Sequence, residues 1–357
     1  MPKKIKVLYI NELDLNKVHN GGSGGESSHL KVLEELYDVE QANVFSDFNR
    51  SKFHSLIDFV TSPVPVFYSY REVKRILRII KTTAAKIVFI ENSNLGYFAK
   101  IAKKHNKKVA VFFHNCEIEF AKACRNKLWY KTIHHNEELT LRYADYSFVL
   151  SERDEKAILK NYRFISSKII RLPVSMEDKL TIEDKNFLKQ TKRKNHFTFV
   201  GSYFKPNIEA VAFINNQLAD RCPTTIFDIY GYQMERIDFS LKPNVINHGT
   251  AADIHGCFLN ADIMIFPIFS GSGMKVKTEE SLMYGKLIVG SPESFSGYSI
   301  DGCDCFVCKS IEDYVDAITK LSNVGVRFSE PNRILWERDF TINHTKTVLL
   351  EYFGGNQ

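Results

Sequence analysis

Short apolar runs alternate with amphipathic stretches along most of the chain. Residues 6–10 read as a short strand, followed by a glycine-rich loop, Gly21-Gly22-Ser23-Gly24-Gly25. A helix is expected next over 27–37, where Leu30, Val32, Leu33 and Leu36 recur at helical spacing. Residues 87–90, 109–113 and 147–150 are nearly all apolar, which is the pattern of strands buried on both faces in a parallel sheet. The segments between them read as helices, 95–104 among them. The pattern breaks near 170–174 and passes through a polar, lysine-rich stretch, 177–195. It then restarts, with strands at 197–200, 226–230, 245–247, 263–266 and 287–289. Helices are expected at 208–216, 251–259 and 275–284, and a last helix at 343–352. Strands alternating with helices predict an α/β chain of two Rossmann-like, doubly wound halves. The expected division is 1–172, 173–335 and a C-terminal segment, 336–357, that returns to the first half.

Composition narrows the function classes. The chain has 357 residues, 44% hydrophobic and 25% charged, which suits a folded protein rather than a disordered scaffold. Its longest apolar runs are strand-sized, far short of the roughly 20 residues that span a bilayer. No secretory leader is visible at the basic N-terminus, so a cytoplasmic protein is expected. The seven cysteines are an odd number and scattered. Cys303, Cys305 and Cys308 form a C-x-C-x-x-C run, open to a metal reading, but no further ligand pair stands nearby and a strand using cysteine as a small hydrophobe fits better. A net charge of +6 is weak support for nucleic acid, and none is expected as a partner. Basic residues do cluster, at Arg71, Lys74, Arg75, Arg78 and Lys81, and again at Lys100, Lys103, Lys104, Lys107 and Lys108. Each cluster reads as a solvated helix face, and together they also suit peripheral contact of the N-terminal half with an anionic membrane, on its inner face.

The unusual residues fall where strands end, the place at which open α/β sheets bind ligands. After the strand ending at Phe266, a loop with Gly271, Ser272 and Gly273 leads into a helix whose start carries Lys275 and Lys277. A helix N-terminus attracts phosphate and repels a lysine. Lys275 is therefore either a solvent-facing side chain or half of a phosphate site, and the neighbouring Gly-Ser-Gly favours the second. Glu280 could accept two hydrogen bonds from a ribose diol. No Asp-x-Asp motif stands at a strand end, so no metal is expected.

The stretch Gly-Ser-Gly-Met-Lys-Val-Lys-Thr-Glu-Glu-Ser-Leu-Met-Tyr-Gly-Lys-Leu-Ile-Val resembles the donor signature of the GT-B glycosyltransferases, nearest to family 4, glycosyltransferase group 1. Further pieces follow the family's order. They are Phe199-Val-Gly-Ser-Tyr-Phe-Lys-Pro-Asn207, Asn247-His-Gly-Thr-Ala-Ala-Asp-Ile254, Ala261-Asp-Ile-Met-Ile-Phe-Pro267 and Ala144-Asp-Tyr-Ser-Phe-Val-Leu-Ser151. The resemblance implies two Rossmann-like domains facing a cleft. It implies a donor site of Gly201, Lys205, Gly231, His248, Gly249, Gly271, Ser272, Gly273, Lys275 and Glu280, with Lys275 and Lys205 on the diphosphate and Glu280 on the ribose. It places Gly21, Gly22, Asn115 and Glu117 on the acceptor or diphosphate side, and makes Lys275 and His114 the catalytic candidates. His114 itself reads either as a contact to the transferred sugar or acceptor, or as a core-edge histidine bonded to backbone. The co-substrate would be a UDP-, GDP- or dTDP-sugar with no cofactor. The acceptor would be a glycan or a lipid-linked glycan, as in surface polysaccharide synthesis. Ser272 stands eight positions before Glu280, where many members carry a second glutamate, and this leaves the stereochemistry open. Two other readings share the motif: an inactive GT-B partner subunit and a nucleotide-sugar epimerase.

Overall fold

The computed structural model describes residues 4–14, 24–46, 68–123, 127–190, 195–271, 273–322 and 328–354. Two compact units emerge: Met1–Met176 with Ile342–Gln357, and Glu177–Thr341.

The first unit alternates β1 (Lys6–Asp14), α1 (Gly24–Leu36), β2 (Asp38–Ser46), α2 (Tyr70–Thr82), β3 (Ile87–Ile90), α3 (Gly96–Lys104), β4 (Lys108–Phe113), α4 (Glu117–Ala123), α5 (Lys127–Tyr143), β5 (Tyr146–Val149), α6 (Glu152–Asn161) and β6 (Lys168–Arg171). Its six strands are ordered β2-β1-β3-β4-β5-β6 and every pairing is parallel. The central strands are buried along their length because helices cover both faces. β2 has no counterpart in the expected pattern. It is an edge strand in which Asp38, Glu40, Gln41 and Asn43 interrupt Val39, Ala42 and Val44, so it lacks a continuous apolar run.

The second unit carries α7 (Ile182–Gln190), β7 (His196–Val200), α8 (Lys205–Phe213), β8 (Ile226–Tyr230), β9 (Val245–Gly249), α9 (Ile254–Asn260), β10 (Ile263–Phe266), α10 (Val276–Met283), β11 (Leu287–Gly290), β12 (Cys305–Val307), α11 (Ile311–Ser322) and α12 (Glu330–Asp339). Its strand order is β12-β11-β10-β7-β8-β9, again all parallel. Counted within the unit this is the 3-2-1-4-5-6 Rossmann order, with its switch point between β7 and β10. In the first unit the direction of winding reverses between β1 and β3.

The last helix, α13 (Ile342–Phe353), belongs to the first unit. Phe353 meets the rings of Tyr37, Phe89, Tyr146 and Phe148 at 6.1–6.2 Å. Tyr37 Oη donates to the carbonyls of Leu349 and Gly354, and Lys108 Nζ to that of Tyr352. The second basic cluster is thus partly spent inside the fold. Lys107 donates to the carbonyls of Thr83 and Ala85, and Lys103 pairs with Asp145. In the first cluster Arg71, Lys74, Arg78 and Lys81 stay exposed on α2. Among the described residues no helix is long and apolar enough to cross a membrane.

Truncating a buried aromatic in such a cluster removes about 3–5 kcal/mol. Phe353→Ala is therefore expected to lower the unfolding free energy of the first unit by about 3 kcal/mol or more, read from urea denaturation. A loss under about 1 kcal/mol would mean that α13 is not part of that core.

Candidate functional site

In the second unit the carboxyl ends of β7, β8 and β9 are glycines, and they crowd together. The amide of Gly201 donates to Tyr230 and that of Gly231 to Gly249. Gly231 has φ +151, and a Cβ there would lie 1.7 Å from the Gly201 carbonyl oxygen. A side chain is therefore excluded by both conformation and space. A Cβ on Gly201 would in turn fall 2.8 Å from Lys277 Nζ and from Asn207 Cγ. So the bare backbone after β7 faces the start of α10, across the switch point.

Lys275 and Lys277 take different roles there. Lys275 caps α10, and its Nζ donates to Glu293 Oε1 at 2.7 Å and to the Gly273 carbonyl at 2.8 Å. Its own carbonyl accepts from Tyr298 Oη. Lys275 is neutralised and ties the glycine loop to the turn at Pro292–Phe295. Lys277 donates to Asn207 Oδ1 at 2.6 Å, and its ammonium lies 4.5 Å from the ring centroid of Phe199 and 5.7 Å from that of Phe266. Among the described residues no carboxylate lies within ion-pair distance of it. Burial pushes its ammonium down to about 7, the charge of Lys275 pushes the same way, and Glu280 opposes both.

Glu280 is half-buried, with Lys179 Nζ 3.9 Å away. Burial raises its carboxyl above the ordinary range, against the pull of Lys179 and Lys277. Glu279 beside it is buried and pushed well up, chiefly by that burial. Gly271, with φ +124, and Gly273, with φ +68, shape the loop before α10. Two expected donor residues sit apart from this group. Lys205 is exposed at the start of α8 and lies 3.9 Å from Glu209, which accepts from Ser270 in the loop after β10. His248 lies on a sheet face, stacked on Tyr230 at 4.3 Å and bonded through Nε2 to Asp228 at 2.7 Å. Asp228 also binds His196 Nδ1 at 2.6 Å. Ser272 lies outside the described residues, as do Gly21 and Gly22.

In the first unit the switch point holds a buried carboxylate, Glu91, directly after β3. Its Oε2 accepts from Tyr9 Oη at 3.0 Å, and its Oε1 is 2.8 Å from His29 Nδ1 and 3.3 Å from His114 Nε2. Burial alone would push Glu91 up, but the two imidazoles outweigh it and hold the carboxyl down at about 2. His114 directly follows β4, half-buried against Phe112. Asn115 follows it, and the Glu117 amide starts α4 by donating to Glu137 Oε1 at 3.0 Å. Glu137 also accepts from Ile118 N, Ser93 Oγ and Tyr162 Oη, while burial raises its carboxyl to about 7. Two buried carboxylates thus brace the turn that carries His114, one from each side.

Sequence reasoning assigned no role to Asn207, Lys277, Glu293, Glu91 or His29. Lys277 and Asn207 stood inside quoted motifs, and Glu91 follows an expected strand, so the strand-end rule could have found it. The contacts of His29 and Glu293 depend on tertiary placement and left no local signal.

Residues 194–323 match the family model described as "Glycosyl transferases group 1". An uncharacterized glycosyltransferase, MJ1069, of Methanocaldococcus jannaschii is 29% identical over 256 residues, covering 65% of this chain and 64% of that protein. The match therefore spans just under two thirds of that relative's length. Two solved structures are similar over nearly their whole length. Anabaena Alr3699/HepE in complex with UDP has a TM-score of 0.67 at 10% identity, covering 98% of this chain and 99% of that one. A glycosyltransferase from Rickettsia africae ESF-5 has a TM-score of 0.63 at 14% identity, covering 98% of each chain. At these identities the likeness is one of fold, and the fold is GT-B.

Glu91→Gln keeps the shape of that side chain and removes its charge. A carboxyl held below its ordinary value stabilises the fold above that value and loses this as pH falls toward about 2. Glu91→Gln should be less stable than wild type at neutral pH by roughly 3 kcal/mol in urea unfolding. The gap should narrow as pH is lowered from about 5 to about 3. A gap that stays constant over that range would show that the charge of Glu91 is not what stabilises the cluster.

Proposed function

The second unit carries a group 1 glycosyltransferase domain within a GT-B chain, and on that premise we propose that the protein transfers a sugar from a nucleoside-diphosphate donor held at the β7/β10 switch point. The observation that carries this reading is the glycine-stripped strand end at Gly201 and Gly231, facing lysine and asparagine side chains from α10 and α8. The bare backbone lets Asn207 and Lys277 come up against the strand end, and the adjoining helix start of α10 favours negative charge.

Glu280 is the group assigned to the ribose diol. One carboxylate can accept two hydrogen bonds from neighbouring hydroxyls, and Glu280 lies on the same helix as Lys277. The Lys275–Glu293 pair holds the glycine loop in shape for the diphosphate. Cleaving the sugar–phosphate bond puts charge on the leaving diphosphate, and a preorganised donor there contributes about 3 kcal/mol. Lysine and amide donors supply that stabilisation in this proposal, with no metal required. In the first unit His114, braced through Glu91, is assigned to the transferred sugar or the acceptor. The acceptor is proposed to be a glycan or a lipid-linked glycan, in keeping with the basic side chains that α2 exposes. The UDP bound to the Anabaena protein makes UDP-sugars the first donors to try.

A thermal-shift panel of UDP-, GDP-, dTDP- and ADP-sugars should show stabilisation by one nucleotide. Glu280→Ala should abolish most of that shift, weakening binding by about 10- to 100-fold. Stabilisation by none of them would overturn the donor reading. An equal shift in the variant would remove Glu280 from the site.

A further inference from the structure

The two lysines before and within α10 are chemically unequal, and the difference has a consequence for binding. Lys275 already has its counter-charge in Glu293. Lys277 has a single hydrogen-bond acceptor, Asn207, among the described residues, although an ammonium carries three donors. The faces of Phe199 and Phe266 attract a cation but do not neutralise it. A half-buried charge without a partner is costly, and a lysine in that position sheds its proton readily.

We propose that the donor's diphosphate is the missing counter-charge of Lys277, and that donor binding is coupled to the uptake of one proton by this side chain. The inference rests on the donor site proposed above and deepens it. The charged and polar neighbours of Lys277 among the described residues fit this assignment. Lys275, two residues earlier, repels its charge, while Glu280, three residues later, attracts it without reaching ion-pair distance. Asn207 from α8 accepts one N–H, and Phe199 of β7 and Phe266 of β10 wall the ammonium in. The bare backbone at Gly201 lets the ammonium come up against the strand end, since a Cβ there would lie 2.8 Å from Nζ. In the free protein the ammonium is held down to about 7. A bound dianion favours the charged form and moves that value up again.

Below about pH 6 the lysine is already charged, so binding takes up no proton and affinity is flat. Above about pH 7 each unit of pH costs up to about tenfold in affinity, because the site must first be protonated.

Titration calorimetry with UDP-glucose tests this, or with the corresponding glucose donor if the nucleotide screen selects another base. Such a diphosphate diester carries no proton that titrates near neutrality. Measured in buffers of different ionisation enthalpy, uptake should be about half a proton at pH 7 and close to one at pH 8. Lys277→Arg keeps the charge but does not titrate, and should bind with no proton uptake. Lys277→Met should bind at least about 30-fold more weakly at pH 6.5. Lys275→Met and Glu280→Gln should still take up the proton, whatever their affinity. Binding without uptake in the wild type would overturn the proposal and leave the donor site standing, as would uptake that persists in Lys277→Arg. Failure of every nucleoside-diphosphate sugar to bind, at pH 6.5 as at pH 8, would instead overturn the donor reading on which it rests.

Discussion

The reversal of strand order between β7 and β10 is the constraint on which the second unit's site depends. To either side of that point the chain winds in opposite directions, so the loops leaving the two strands part and their carboxyl ends stay uncovered. Side chains at Gly201 and Gly231 would collide with what is already packed there, and the sequence withholds them. Gly201 and Gly231 are packed so closely that a Cβ on one would overlap the backbone of the other. The polar groups that remain come from the helices starting beside these strand ends, Asn207 from α8 and Lys277 from α10.

The first unit solves a related problem differently. At its switch point, between β1 and β3, it places a buried carboxylate instead of an exposed backbone. The His29 and His114 rings hold the Glu91 carboxyl down, and with its bond from Tyr9 it joins β1, α1 and the turn after β4. Glu137 does comparable work on the next turn by holding the amides that start α4. Such a framework holds the His114 ring in place, which the proposed contact with a substrate would require.

The alternation of strands and helices was legible because parallel strands covered on both faces must be apolar throughout, as at Ile87–Ile90 and Ile263–Phe266. β2 lacks that signal, because Glu40, Gln41 and Asn43 break up its apolar positions at the sheet edge. The glycine and lysine motif before Glu280 stands out in the sequence as a candidate phosphate site, because glycines at a helix start are the residue types such a site uses. Which lysine is neutralised was not legible. It depends on Glu293 reaching back to Lys275 from a turn 18 residues later, and on Asn207, 70 residues earlier, meeting Lys277. Spacing along a helix cannot show a partner that arrives from another strand–helix unit. The pairing of His248 with Asp228 was hidden in the same way.

The central claim is that a nucleoside diphosphate is bound at the β7/β10 switch point. A crystal structure of the protein with the nucleotide that binds most tightly tests it most directly. The account predicts phosphate density between the Gly201 backbone and Lys277 Nζ, with the ribose hydroxyls against Glu280. A nucleotide seated elsewhere in the second unit, or held by the first unit with Lys277 still on Asn207 alone, would contradict it.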